Sequence, residues 1–236
     1  MTRPTLLLLP GLLCDAAAWK GVIAAMPAVD CVVPAYGRLD SIAAMARHVL
    51  ASVPGGRLCI AGHSMGGRVA LEMARLAPAR IDRLALLDTG FQPRAPGAAG
   101  AAEESGRLAL LQLARDRGMR GMGRAWARGM VHPDHRDAPV FEAILQMIGR
   151  SDASTFEAQI RALLGRPDAT DVLASLRCPT LIACGREDAW SPLARHREMH
   201  ALVPHADLVV IEHAGHMAPM EQPQAVASAL RGWALA

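Results

Sequence analysis

The amino-acid sequence predicts an α/β protein: a mostly parallel sheet of about six strands with helices on both faces and a helical lid inserted into it. Three observations carry that expectation. Short β-leaning runs alternate with longer helical patterns, as in sheets crossed by helices. The runs are nearly continuously apolar, the pattern of strands buried on both faces. The alternation fails once, between Phe91 and Gly165, where Gly, Arg and Met rise and helical stretches follow one another. A chain of 236 residues suits one core plus such an insertion. Residues 1–90 and 166–236 are therefore expected to form the core and 91–165 the helical lid.

The expected strands, in order, are Thr5 to Leu9, Asp30 to Val33, Leu58 to Ala61, Leu84 to Asp88, Thr180 to Cys184 and Leu208 to Ile211. Core helices are expected at Ser41 to Ala51, Ser64 to Leu76, Leu193 to Leu202 and Gln224 to Trp233, from apolar spacing and from breakers such as Pro54, Pro78 and Pro204. Within the insertion, helices are expected at Glu104 to Arg115, Met122 to Met130, Val140 to Ile148 and Ser154 to Leu164. Gly118, Gly121, the Pro133 turn and Gly149 separate them, and Ala95 to Ala102 reads as a short loop.

Composition narrows the function classes. Apolar residues make up 52% against 20% charged, which is enough core material to exclude a disordered chain. Leu6 to Leu9 is too short an apolar run for a membrane span or a signal-peptide core, although Arg3 precedes it. A cytoplasmic protein without membrane attachment is expected. The net charge is only +3, and Lys20 is the one lysine, so individual arginines carry little weight in so arginine-rich a chain. No aromatic platform accompanies the basic residues, and nucleic acid is not an expected partner. Five cysteines, none spaced C-x-x-C, indicate neither a zinc ribbon nor a disulfide framework.

Gly62-His63-Ser64-Met65-Gly66 is a G-x-S-x-G motif placed directly between a β-run and a helical pattern. On such a strand-to-helix turn the serine backbone is strained, and glycine neighbours let the chain pass without collision. The turn sets the Ser64 hydroxyl at a helix N-terminus, where free N–H groups favour developing negative charge. The Met65 N–H is thus the expected oxyanion donor. A second is expected from Leu12, after the Pro10-Gly11 bend. A serine hydroxyl needs a base, and the base needs a carboxylate to orient it. His216 follows the sixth expected strand and Asp188 the fifth, in the chain order serine, acid, histidine. Asp88, at the end of the fourth, is the alternative acid.

On these residues the chain resembles the α/β-hydrolase-fold serine hydrolases, in the broad group of bacterial esterases with a helical lid. The markers are Leu-Leu-Leu-Leu-Pro-Gly at 6 to 11, Gly-His-Ser-Met-Gly-Gly at 62 to 67, Leu-Leu-Asp-Thr-Gly at 86 to 90, Gly-Arg-Glu-Asp at 185 to 188 and Ala-Gly-His-Met at 214 to 217. The resemblance implies hydrolysis of a carboxylic ester or thioester through an acyl-enzyme on Ser64, with no cofactor. Similar lidded relatives use the same residues for lyase, carbon–carbon hydrolase or acyltransferase chemistry, or bind a small ligand as non-catalytic receptors. Most relatives carry His-Gly where this chain has Pro10-Gly11. The chain also begins at what would be the family's third strand, so its sheet is expected to lack the antiparallel edge hairpin.

The remaining candidates are weaker. Trp126, Met130 and Met217 are expected to line a mainly apolar substrate pocket under the lid, with Met119, Met122, Met147 and Leu163. Arg120, Arg124 and Arg128 recur every four residues as one stripe, a solvated face or a docking strip for an acidic acyl carrier. His132 and His135 read as a solvated lid turn. His196 and His200 lack the glutamate spacing of a zinc helix, and no metal is assigned. His63 should point away from Ser64 and pack beneath the turn. The assembly is expected to be a monomer or a homodimer.

Overall fold

The computed structural model describes residues 5–53 and 55–235; Arg3 and the Pro54 breaker lie outside it. Six strands form one sheet: β1 (Thr5–Leu9), β2 (Asp30–Val32), β3 (Leu58–His63), β4 (Ile81–Leu87), β5 (Thr180–Gly185) and β6 (Asp207–Ile211). Their order is β2-β1-β3-β4-β5-β6 and every neighbouring pair is parallel, with no antiparallel hairpin among the described residues. Buried Leu6 to Leu9 and Leu84 to Leu87 fill the middle of the sheet, whereas β2 and β6, at its two edges, are half exposed. Continuous burial on both faces thus holds for the central strands and fails at the edges, which only one neighbour covers.

The core helices are α1 (Lys20–Ala24), α2 (Ile42–Ser52), α3 (Met65–Leu76), α7 (Thr170–Ser175), α8 (Leu193–Leu202), α9 (Ala218–Glu221) and α10 (Pro223–Leu235). Helices α2, α3, α7 and α8 pack in succession, and α1, α9 and α10 pack together. Ser41 caps α2 by accepting from the Ala44 N–H at 3.2 Å. No helix among the described residues is long and apolar enough to cross a membrane.

Between β4 and α7 lie α4 (Gly97–Trp126), α5 (Pro139–Gly149) and α6 (Ala153–Leu164). Sequence reading misplaces the start of this segment: 97–102, expected as loop, is the first turn and a half of α4. Alanine has the highest helix propensity, so an Ala-rich stretch flanked by helix continues it. As expected, Gly118 separates two helical pieces within α4: its φ of 71° and ψ of 164° are non-helical and are adopted without strain only by glycine. Gly121, expected as a separator, sits inside the second piece. Asp152 caps α6 by accepting from the Thr155 N–H at 2.8 Å.

Candidate active site

In the sheet order, the chain moves from β1 outward to β2 and then returns to β3 on the other side of β1. The strand order reverses there, opening a crevice at the carboxyl ends of β1 and β3, where open α/β sheets place ligands. Leu12 follows β1 and Ser64 follows β3. Ser64 has φ 54° and ψ −116°, the strained turn that the motif requires. The clearance is absolute: a Cβ on Gly66 would run into the Leu9 carbonyl oxygen, and one on Gly62 into the Gly66 carbonyl.

Three strand ends converge on the hydroxyl. His216 Nε2 lies 2.8 Å from Ser64 Oγ, and His216 Nδ1 lies 2.9 Å from Asp188 Oδ2. The other carboxylate oxygen of Asp188 accepts the Trp190 and Ser191 N–H groups, each at 2.8 Å. Burial alone would raise the Asp188 carboxyl; the His216 ring and these donors outweigh it and hold it below the usual range. Asp88, the alternative acid, does not touch His216. Its Oδ1 accepts the Gly185 N–H at 2.8 Å, while its Oδ2 is buried without a partner. Burial and the neighbouring Asp188 charge push the Asp88 carboxyl well above the usual carboxylate range.

His63 packs beneath the turn, with Nε2 2.7 Å from the His216 carbonyl oxygen. Burial, then the proximity of His216, lower it to about 3, so the ring is neutral and Nε2–H donates. Thr89 Oγ1–H donates to the Ser64 carbonyl at 2.6 Å, tying the end of β4 to the turn.

Neither the Leu12 N–H nor the Met65 N–H donates to any group among the described residues. The loop carrying Leu12 is held from the insertion: Gln159 on α6 accepts the Leu13 N–H at 2.9 Å, and Leu13 has a positive φ of 58°. Nothing in the spacing of Gln159 announces this, because its partner lies 146 residues away. Glu221 is a second residue that sequence reading missed. Its Oε1 accepts Gly215 N–H at 2.9 Å and Met217 N–H at 3.2 Å, on either side of His216, and its Oε2 accepts His132 N–H at 2.7 Å. His135 Nδ1 sits 2.8 Å from the same Oε2, and His132 is buried. These histidines therefore form packing between insertion and core rather than the solvated turn expected. His196 is likewise structural: it is fully buried, and its Nε2 accepts the Thr89 N–H at 3.2 Å.

A cavity of about 1000 Å³ opens over Ser64 and His216, and Leu12, Trp126, Met130 and Met217 all line it. Trp126 stacks on Trp190 with ring centroids 5.1 Å apart, and Trp190 lies 5.1 Å from the His216 ring. The lining is more apolar than polar, as expected, but one part of it carries arginines that the sequence reading did not place there: Arg68, Arg94, Arg107, Arg166 and Arg195. The Arg120, Arg124 and Arg128 stripe lies outside it and is exposed. Arg120 pairs with Glu142 at 2.5 Å, and Arg128 approaches Asp137 at 3.8 Å.

Comparison with known proteins agrees with this architecture. The chain is 28% identical over 237 residues to a pimeloyl-[acyl-carrier protein] methyl ester esterase of Nitrosomonas europaea, covering 94% of this chain and 92% of that protein. It is 28% identical over 216 residues to a 2-hydroxy-6-oxononadienedioate/2-hydroxy-6-oxononatrienedioate hydrolase of Burkholderia vietnamiensis, covering 83% and 71% respectively. Among solved structures, a thermophilic esterase from Thermogutta terrifontis superposes with a TM-score of 0.85 at 29% identity, over all of this chain and 90% of that one. Residues 6–229 match the model of the alpha/beta hydrolase family, and the chain belongs to that family.

Proposed function

We propose that the protein is a serine hydrolase that cleaves a carboxylic ester or thioester through an acyl-enzyme on Ser64, with His216 as base and Asp188 as its orienting acid. One observation carries the reading: the unbroken hydrogen-bonded line from Ser64 Oγ through both nitrogens of His216 to Asp188, at 2.8 and 2.9 Å. Asp188 holds Nδ1–H, so Nε2 is the lone-pair side facing the hydroxyl. His216 takes the Ser64 proton as Oγ attacks the carbonyl carbon. The carbonyl oxygen becomes an oxyanion within reach of the free Met65 and Leu12 N–H groups, at the positive end of α3. His216 then gives the proton to the departing alcohol or thiol. Water, deprotonated by the same nitrogen, attacks the acyl-enzyme and releases the acid.

Residues 91–165 serve in this reading as the lid. Trp126 and Met130 come from that segment and close the cavity over the nucleophile, and Met217 lines it beside His216. One relative reported above is named as a methyl ester esterase and a similar solved structure as an esterase, which supports the ester-cleaving reading. An acyl carrier docked on the arginine stripe would have to compete with Glu142 for Arg120 and with Asp137 for Arg128.

Steady-state hydrolysis of p-nitrophenyl esters from acetyl to lauroyl tests the proposal. The wild type should complete many turnovers, and Ser64→Ala should lose roughly 10⁴-fold or more in kcat. Labelling of Ser64 without turnover would instead favour the receptor reading.

A further inference from the structure

Of the arginines in the cavity wall, Arg94, Arg107 and Arg166 have carboxylate partners, and Arg68 and Arg195 do not. Glu103 receives both Arg107, at 2.9 Å, and Arg166, at 2.7 Å. Glu198 accepts from the Gln92 amide at 3.0 Å. Arg68 and Arg195 have neutral partners: Arg68 donates to the Gln92 carbonyl at 2.9 Å, and Arg195 to the Trp190 carbonyl at 3.0 Å. Arg166 is nine-tenths buried, with a side-chain exposure of 9%, and its Nε has no hydrogen-bond partner.

Two of these guanidinium groups converge over Gly90. A Cβ placed there would meet Arg195 Cδ at 2.9 Å, Arg68 Nη2 at 3.1 Å and Arg195 Nε at 3.5 Å, so both cationic side chains lie close against this one glycine. Gathering like charges in a partly desolvated place is unfavourable. Burial, then Arg166 and Arg195, push the Arg68 guanidinium down to about 9, so it is charged at pH 7 at a cost that an arriving anion would relieve. Arginine presents paired N–H donors that match the two oxygens of a carboxylate.

We infer that this part of the cavity is a subsite for a carboxylate carried by the substrate, with Arg68 and Arg195 as its donors, so that the preferred substrates are half-esters of dicarboxylic acids. The inference rests on the ester-cleaving reading of Ser64 for the other end of the substrate. Ser64, Arg68 and Arg195 all line the same cavity, so one substrate can reach the hydroxyl and the two guanidinium groups together. The released product would be a free dicarboxylic acid.

Binding is tested apart from turnover. In Ser64→Ala protein, calorimetry with monomethyl adipate and with methyl hexanoate compares a ligand bearing a free carboxylate with its uncharged counterpart. Monomethyl adipate should bind about tenfold or more tightly, and Ser64→Ala/Arg68→Gln should remove that difference. Equal affinity for both ligands would overturn the subsite. Because Arg68 also holds the Gln92 carbonyl, Arg195→Gln and Gly90→Ala serve as independent variants; the latter drives a methyl group against both arginine side chains, and both should erase the preference for monomethyl adipate. In the otherwise unaltered chain, kcat/KM for monomethyl adipate should exceed that for methyl hexanoate, and Arg68→Gln should lower this ratio about tenfold or more. Turnover of both esters at one ratio in both proteins would overturn the subsite and leave the hydrolase standing. Preferential binding of monomethyl adipate to Ser64→Ala protein without turnover of either ester by the unaltered chain would uphold the subsite and sink the ester-cleaving reading.

Discussion

The ends of β4 and β5 each carry an aspartate, Asp88 and Asp188, in adjacent parallel strands and close enough for each charge to act on the other. At the end of β5 the carboxylate accepts Trp190 and Ser191 N–H groups and the His216 ring, so ionisation wins against burial. At the end of β4 the carboxyl accepts only Gly185 N–H and faces a second negative charge, so burial wins and its titration is pushed up. The two sites share residue type and fold position. The number of donors directed at each oxygen separates the acid that can orient a histidine from the one that cannot. The end of β4 contributes in a different way, because Thr89 holds the Ser64 carbonyl and thereby the strained turn.

The largest test of this contrast is Asp188→Asn, which keeps the shape and removes the charge that selects the His216 tautomer. A fall of about 10⁴-fold in kcat is expected with the fold intact by circular dichroism. Asp88 sustaining activity in that variant would mean that the two ends are interchangeable. Next in size, Thr89→Val deletes the hydroxyl that steadies the turn. Urea unfolding should show a loss of roughly 1–2 kcal/mol, because the buried Ser64 carbonyl loses its hydroxyl donor.

The smallest effect is expected of Asp88→Asn, and it appears in pH dependence. Asp88 is raised in the folded state, so above the ordinary carboxylate range the unfolded chain has released a proton that the folded chain retains. Wild-type stability is therefore eroded as pH rises. Asparagine cannot ionise, so the variant's stability relative to wild type should improve by about 1 kcal/mol or more between pH 4 and pH 8. Asp188 acts with the opposite sign: its lowered carboxyl adds stability that is lost as pH falls below the ordinary carboxylate range. A pH-independent difference between wild type and Asp88→Asn would show that Asp88 is ionised in the folded protein.

The strained Ser64 turn and the six parallel strands were legible in the sequence because each is a local demand. Gly62 and Gly66 are needed where backbone meets backbone, and an apolar run of strand length declares a strand even where, as at β2 and β6, it ends half exposed at an edge. Helix continuity in the insertion was less legible, since Ala95 to Ala102 reads as loop until packing and alanine propensity carry α4 through it.

Which aspartate meets His216, what steadies the loops around Ser64, and where positive charge accumulates all depend on partners far apart in the chain. Gln159 reaches Leu13, Glu221 clamps both sides of His216 and the insertion, and Arg68, Arg107, Arg166 and Arg195 arrive in one cavity from four separate segments. In an arginine-rich chain no spacing marks those four out. Local pattern encodes backbone conformation and burial, whereas the protonation of Asp88 and the charge of a cavity wall are sums over neighbours that exist only once the chain has folded.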